Sequence, residues 1–231
     1  MNHSGNPIES PVTHIRIDFV SDVSCPWCVI GLKSLEQALA NLDGQLQAEI
    51  HFQPFELNPQ MPAEGQDSAE HIRQKYGSTP EQLAANRENI RARGAALGFV
   101  FNMNKRGRVY NTFDAHRLLH WAELEGHQAQ LKHGLFRAYF TNGEDVSAHD
   151  VLIRLAGEAG LSAERAGEIL SSDTYATEVR EQESFYVSNG INAVPAIIVN
   201  QQHLISGGQP PEVFETALKN IAAMASANTL N

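Results

Sequence analysis

The 231-residue chain carries 17 Lys and Arg against 27 Asp and Glu, a formal charge of −10 at pH 7; that sign, with no long basic cluster, argues against a nucleic-acid surface. Apolar residues at 42% and charged residues at 19% describe a globular chain with material for one large domain or two small ones. No apolar run is long enough to cross a bilayer and Met1 to Pro11 lacks the core of a signal peptide, so a cytoplasmic protein with no membrane partner is expected.

Met1 to Pro11, rich in Asn, Ser, Gly and Pro, reads as a flexible tail. Ile15 to Val20 alternates and is β-branched, which predicts a strand, and Val29 to Leu39 has helical apolar spacing. Between them lies Ser24-Cys25-Pro26-Trp27-Cys28, which holds both cysteines of the chain. Cys25 then falls at a helix N-terminus, where free N–H groups and the helix dipole favour an anion, so its thiolate is expected to form below the pKa of a free cysteine. Pro26 suits the first helical position, which needs no N–H. Cys28 lies one turn further in, within sulfur reach and more buried. The roles separate: Cys25 attacks, and Cys28 resolves the mixed disulfide.

Two other fates of a C-x-x-C pair are weaker. A zinc site needs two more ligands, for which only His116 and His120, four apart on one helix, offer metal-like spacing. A structural disulfide closing so short a loop gains little chain entropy. Two cysteines in a reducing compartment suit a redox-active Cys25–Cys28 disulfide better than a framework.

Gln47 to Phe55 alternates as a second strand, and strand, helix, strand predicts a parallel βαβ unit. Pro59 and Pro62 then break the pattern. From Ala63 to Phe185 the chain reads as helical with no convincing strand: a short polar stretch at Ser68 to Tyr76, then a helix capped by Thr79 and Pro80 with Leu83, Ile90 and Leu97 seven apart. A basic loop at Asn104 to Asn111 precedes helices at Thr112 to Ala122, Leu131 to Phe140, Asp150 to Ala159, Ser162 to Ser171, and Thr174 to Asn189 with Gly190 as its stop. Ala196 to Val199 and His203 to Ser206 predict a hairpin, and a last helix begins near Pro211 with Phe214, Leu218 and Ile221 inward. This hairpin cannot bury itself and neither can the first βαβ unit, so the two should join in one four-stranded mixed sheet. The predicted division is therefore an α/β domain of residues 12–62 and 186–226, interrupted by a helical domain of residues 63–185.

Cys25-Pro26-Trp27-Cys28 after a strand, Phe55-Glu56-Leu57-Asn58-Pro59, the helical insertion, Gly190 to Ala196 and Ile205-Ser206-Gly207-Gly208-Gln209-Pro210 together resemble the DsbA-like thioredoxin-fold oxidoreductases. The resemblance is nearest the FrnE-type subfamily and spans about residues 14–224. It implies a thioredoxin fold, thiol–disulfide exchange, no bound cofactor, and a cis proline in Val194-Pro195 facing the cysteines. Physically, such a bond would turn the backbone of Val194 outward as an edge on which an extended substrate could pair.

The substrate is expected to be a disulfide- or thiol-bearing protein or small molecule. Trp27 would shield the sulfurs and offer an apolar contact. Asn58 and Gln209 match motif positions that could hydrogen-bond a substrate backbone or glutathione, a redox partner; either also suits a turn. Asp18 or Asp22 could accept the proton of Cys28, although alternation places Asp18 beside Arg16, as a solvated or ion-paired surface acid. Tyr110 to Arg117 is expected to overhang the cleft, the basic loop before it to be solvated, and His116, His120 and Trp121 to serve packing. Apolar helical faces are compatible with a homodimer. The alternative function is a glutathione-dependent isomerase or transferase, as in 2-hydroxychromene-2-carboxylate isomerases and kappa-class transferases, which typically place serine where Cys25 stands and lack the second cysteine.

Overall fold

The alternating stretch near the N-terminus forms β1 (Thr13–Ser21), the strand on which the sheet is built. The structure, a computed structural model, describes residues 12–229, and the Met1 to Pro11 tail lies outside them. β1 pairs in parallel with β2 (Leu46–Pro54), setting Ile17 opposite Ile50 and Phe19 opposite Phe52. On its other side it pairs antiparallel with β5 (Ala196–Val199), which turns into β6 (His203–Ser206). The order β2-β1-β5-β6 is the four-stranded mixed sheet of a thioredoxin fold.

Strand periodicity distributes the core. Ile15, Ile17 and Phe19, two apart, share one cluster with Ile30, Leu32 and Leu35 of α1 (Pro26–Asn41) and with Phe214 and Leu218 of α9 (Pro211–Thr229). Val20 belongs to a second cluster with Ile191 and with Tyr186 of α8 (Ala176–Ser188).

Between β2 and β5 come α2 (Ser68–Tyr76), α3 (Pro80–Ala96), α4 (Phe113–Leu124), α5 (Gln128–Phe136), α6 (His149–Glu158), α7 (Ala163–Leu170) and α8. Their starts follow side-chain chemistry: Asp67 accepts from the N–H groups of Ala69 and Glu70, Thr79 and Gln82 form a capping box ahead of Pro80, and Ser162 accepts from Arg165. Two details depart from expectation. The helix predicted from Leu131 to Phe140 starts at Gln128 and widens after Phe136 into a π-helical turn, Arg137–Asn142. That turn carries Tyr139 and Phe140, both buried, onto rings of Phe136, Phe101 and Tyr110. The basic loop also contains a two-residue strand, β4 (Arg108–Val109), paired with β3 (Gln66–Asp67), too short for periodicity to reveal.

The packing of α1 on the turn before β5 depends on a missing side chain. A Cβ on Gly31 would lie 2.9 Å from Cγ of Pro195, and one on Gly208 would lie 2.9 Å from the carbonyl of Trp27. In an open helix Gly→Ala gains about 1 kcal/mol. Gly31→Ala is expected instead to destabilise by about 1–3 kcal/mol through overpacking, read as a lowered denaturant midpoint; a midpoint raised by the propensity gain would show that Pro195 gives way freely.

Candidate active site

Where β1 ends, Cys25 takes an extended conformation (φ −92°, ψ 113°) as the N-cap of α1, with Pro26 at its first position. The Cys25 N–H donates to the carbonyl of Asp22 at 3.2 Å, and the Cys28 N–H to that of Cys25 at 3.1 Å. Across the site the Val194–Pro195 peptide is cis, and Sγ of Cys25 donates to the Val194 carbonyl at 3.7 Å. Both cysteines are free thiols. Burial, reinforced by the neighbouring Cys25, pushes the Cys28 thiol well above the ordinary cysteine range.

Beneath the pair, the buried Asp22 carboxylate accepts the N–H of Leu57 at 2.7 Å and the N–H and hydroxyl of Ser24 at 3.1 and 3.0 Å. Nε2 of His116, on α4, lies 3.7 Å away. Burial alone would raise the Asp22 pKa, but His116 and the two backbone donors outweigh it and hold the carboxyl below its usual range. Asp22 thus clamps the cysteine turn to the loop after β2. Asp18 is not the solvated acid that alternation suggested. It is 3% exposed, paired with Arg16 at 2.7 Å and bonded by the Gln53 amide at 2.8 Å, because its face of the sheet is covered.

Cys25, Pro26, Trp27, Asn58 and Val194 line a cavity of about 650 Å³, whereas Cys28, Pro195 and Gln209 do not. Pro195 packs against Gly31 behind it. Gln209 closes a turn by donating to the Ser206 carbonyl at 2.8 Å, and the Asn58 side chain accepts from Nζ of Lys75 at 2.8 Å. Arg93 sets its guanidinium 5.1 Å from the Trp27 ring and donates to the Gly208 carbonyl, tying the cysteine turn to the last loop.

The overhang expected from Tyr110 to Arg117 is supplied instead by α2, α3 and Arg106. α4 faces inward: His116 turns to Asp22, and the Arg117 guanidinium donates to the carbonyls of Ile169, Ser172 and Thr174. Arg106 is not simply solvated, since it stacks over Tyr139 and Phe140 at 4.9 and 5.2 Å and reaches the Ser24 carbonyl at 3.5 Å. His120 packs against Tyr175, and Trp121 is buried. Among the described residues no group of three or more His, Cys, Asp or Glu side chains is placed to hold a metal ion.

One charged residue escaped sequence reasoning altogether. Lys132 of α5, 1% exposed, sets its ammonium 4.9 Å from the Phe136 ring and 5.8 Å from that of Phe52. Burial pushes its pKa down to about 8, against the charges of Cys28, Asp22 and Cys25, which favour the ammonium. Below pH 8 it is charged in both folded and unfolded chains, so its burial costs stability in full. Between pH 8 and 10.5 only the unfolded chain holds the proton, and the cost fades as pH rises. Lys132→Met is therefore expected to stabilise the protein by up to about 3 kcal/mol at pH 7, with the gap in unfolding free energy closing by pH 10.5; a gap independent of pH would contradict the buried charge.

The chain matches the DSBA-like thioredoxin domain family over residues 16–219. Among solved structures, it is similar to a probable DsbA oxidoreductase from Streptomyces coelicolor, at 34% identity and a TM-score of 0.84 over 90% of this chain and 89% of that one. The cytosolic disulfide reductase DsbM from Pseudomonas aeruginosa, solved with GSH, shares the fold at 18% identity and a TM-score of 0.60 over 89% and 98%. A Bacillus subtilis protein, YwbO, is 26% identical over 209 residues, 89% of this chain and 96% of its own. A mixed sheet in thioredoxin order, a cysteine pair opening α1 and a family match across most of the sequence lead to one conclusion: the chain belongs to the DSBA-like thioredoxin domain family.

Proposed function

We propose that this chain is a thiol–disulfide oxidoreductase in which Cys25 is the nucleophile and Cys28 the resolving thiol. The observation that carries the reading is the asymmetry of the pair: Cys25 lines the cavity at the open end of α1, and Cys28 is sealed one turn behind it. The N-terminal end of the α1 dipole faces Cys25, where the exchange concentrates charge on sulfur. The Cys25 thiolate attacks one sulfur of a substrate disulfide, the substrate bond breaks, and half of the substrate departs as a thiolate. Cys28 then attacks Cys25, releasing the other half; its proton ends on a departing thiolate. Two electrons pass to the substrate, and a Cys25–Cys28 disulfide remains. Run backwards, the same steps oxidise a dithiol.

The environment orders these events. With its pKa raised by burial and by Cys25, Cys28 stays protonated and quiet until Cys25 is consumed as a mixed disulfide, which removes the neighbouring charge. The Val194 carbonyl already meets Cys25, so an extended substrate backbone laid along Val194 and Pro195 would bring its sulfur to the same place, with Trp27 and Asn58 beside it. Gln209 would act from the turn that carries Gly208 against Trp27. The GSH in the Pseudomonas DsbM structure supports glutathione as a redox partner here, and the cytosolic origin of that protein supports a cytoplasmic location. We likewise assign the thioredoxin-like domain to residues 12–62 and 186–226, with residues 63–185 as its helical insertion. A glutathione-dependent isomerase or transferase would leave the sealed second thiol without a task.

Reduction of bis(2-hydroxyethyl) disulfide measures the cycle. Cys25→Ser is expected to bring it to the background rate, and Cys28→Ser to accumulate a mixed disulfide on Cys25, visible by intact-mass spectrometry. Full turnover by either variant would overturn the assignment of both thiols.

A further inference from the structure

We infer that the cavity beside Cys25 selects low-molecular-weight disulfides and thiols bearing carboxylate groups, which Arg87 and Arg106 hold with Lys75 alongside. The inference rests on the redox reading above and adds to it a substrate class and the residues that recognise it.

The chain as a whole is acidic, at −10, yet the cavity wall is cationic. Lys75, Arg87 and Arg106 face Glu56 as the single carboxylate in the lining, and Glu56 is already engaged by Arg180. Among the described residues none of the three cations has a carboxylate within ion-pair distance. Arg87, half-buried on α3, makes no hydrogen bond or ion pair among the described residues. Arg106 spends one nitrogen on the Ser24 carbonyl at 3.5 Å and its face on two aromatic rings, while its Nε is buried without a partner. Elsewhere Arg91, Arg154 and Arg165 each meet a glutamate, even at the surface. The field is felt locally: burial, with the charges of Lys75 and Arg106, lowers the pKa of His71 in the same wall, so His71 adds no charge at neutral pH. Two guanidinium groups without carboxylate partners among the described residues, in a space whose single lining carboxylate is held by Arg180, are a match for the planar carboxylates of a ligand.

Size and polarity narrow the class. A volume of about 650 Å³ is that of a small-molecule site rather than of a groove for a folded partner. Ile72, Leu83, Ile90, Met103 and Trp27 make much of the wall apolar, which excludes water and strengthens charge recognition within it. Because Arg106 contacts Ser24, the residue before Cys25, a carboxylate placed there would leave the ligand's sulfur within a few bonds of the nucleophile. For such a disulfide the reaction is the balanced exchange already given: one substrate S–S bond breaks, the Cys25–Cys28 bond forms, and the two halves leave as one thiolate and one thiol that carries the Cys28 proton.

Single-turnover oxidation of the reduced protein tests this with three symmetric aliphatic disulfides: 3,3′-dithiodipropionate (two carboxylates), bis(2-hydroxyethyl) disulfide (neutral) and cystamine (two ammonium groups). Each rate is divided by the rate of the same disulfide with dithiothreitol to remove intrinsic reactivity. The dicarboxylate is expected to outpace cystamine at least tenfold at low salt, with the preference shrinking as salt is added. Arg87→Gln and Arg106→Gln should each cut it severalfold and the double variant abolish it, whereas Arg91→Gln, on the exposed side of α3, leaves it intact. Equal normalised rates for dicarboxylate and diammonium, or a preference untouched by Arg87→Gln in a folded protein, would overturn the inference. If the wild type fails to react even with the neutral disulfide, it is the underlying cysteine reading that falls.

Discussion

The site depends on one close approach, that of the first turn of α1 to the backbone before β5. Cys25 and Val194 are 169 residues apart in sequence, yet the Cys25 thiol meets the Val194 carbonyl. Three features hold them together. The antiparallel pairing of β1 with β5 sets Val20 against Ala196 and so brings the two loops to the same end of the sheet. Gly31 and Gly208, by lacking Cβ atoms, let α1, Pro195 and the last loop close to contact distance. Asp22 ties the cysteine turn to Leu57, so that the loops after β1 and β2 are joined beside the site.

On that frame the chemistry becomes a contrast between neighbours. Cys28 lies in an apolar interior that disfavours its anion, with buried Asp22 and Lys132 near enough to share its electrostatics. Cys25, itself only 3% exposed, lies on the cavity wall, under a roof that brings cationic side chains from α2, α3 and the loop before β4. The helical stretch between β2 and β5 therefore does more than fill sequence. It supplies His116 and Lys132 beneath the sulfurs and Lys75, Arg87 and Arg106 above them. Burying the Lys132 ammonium costs stability, and its position beside Cys28 and Asp22 ties the core's charge to the cysteine pair.

Much of this was legible in the sequence because it rests on local rules. Cysteine spacing, Pro26 at the helix start, the alternation of Ile15 to Val20 and the turn at Asn200 to Gln202 each carry their signal within a few residues. The illegible part is tertiary. Lys132 sits between Leu131 and His133 on an amphipathic helix, where a lysine reads as solvent-facing, and only the packing of α5 on β2 buries it. Asp18 alternates with Ile17 and Phe19 and so reads as the outer face of the sheet, until α8 covers that face. Arg87 and Arg106 belong to segments whose charges look solvated, and nothing in their neighbours tells that both reach the cavity of Cys25.

The most direct test of the account is the order in which the two thiols react. The reduced protein, exposed at neutral pH to limiting iodoacetamide and mapped by peptide mass spectrometry, is predicted to carry the label on Cys25 with Cys28 unmodified until the protein is unfolded. Labelling of Cys28 first, or of both at equal rates in the native state, would contradict it.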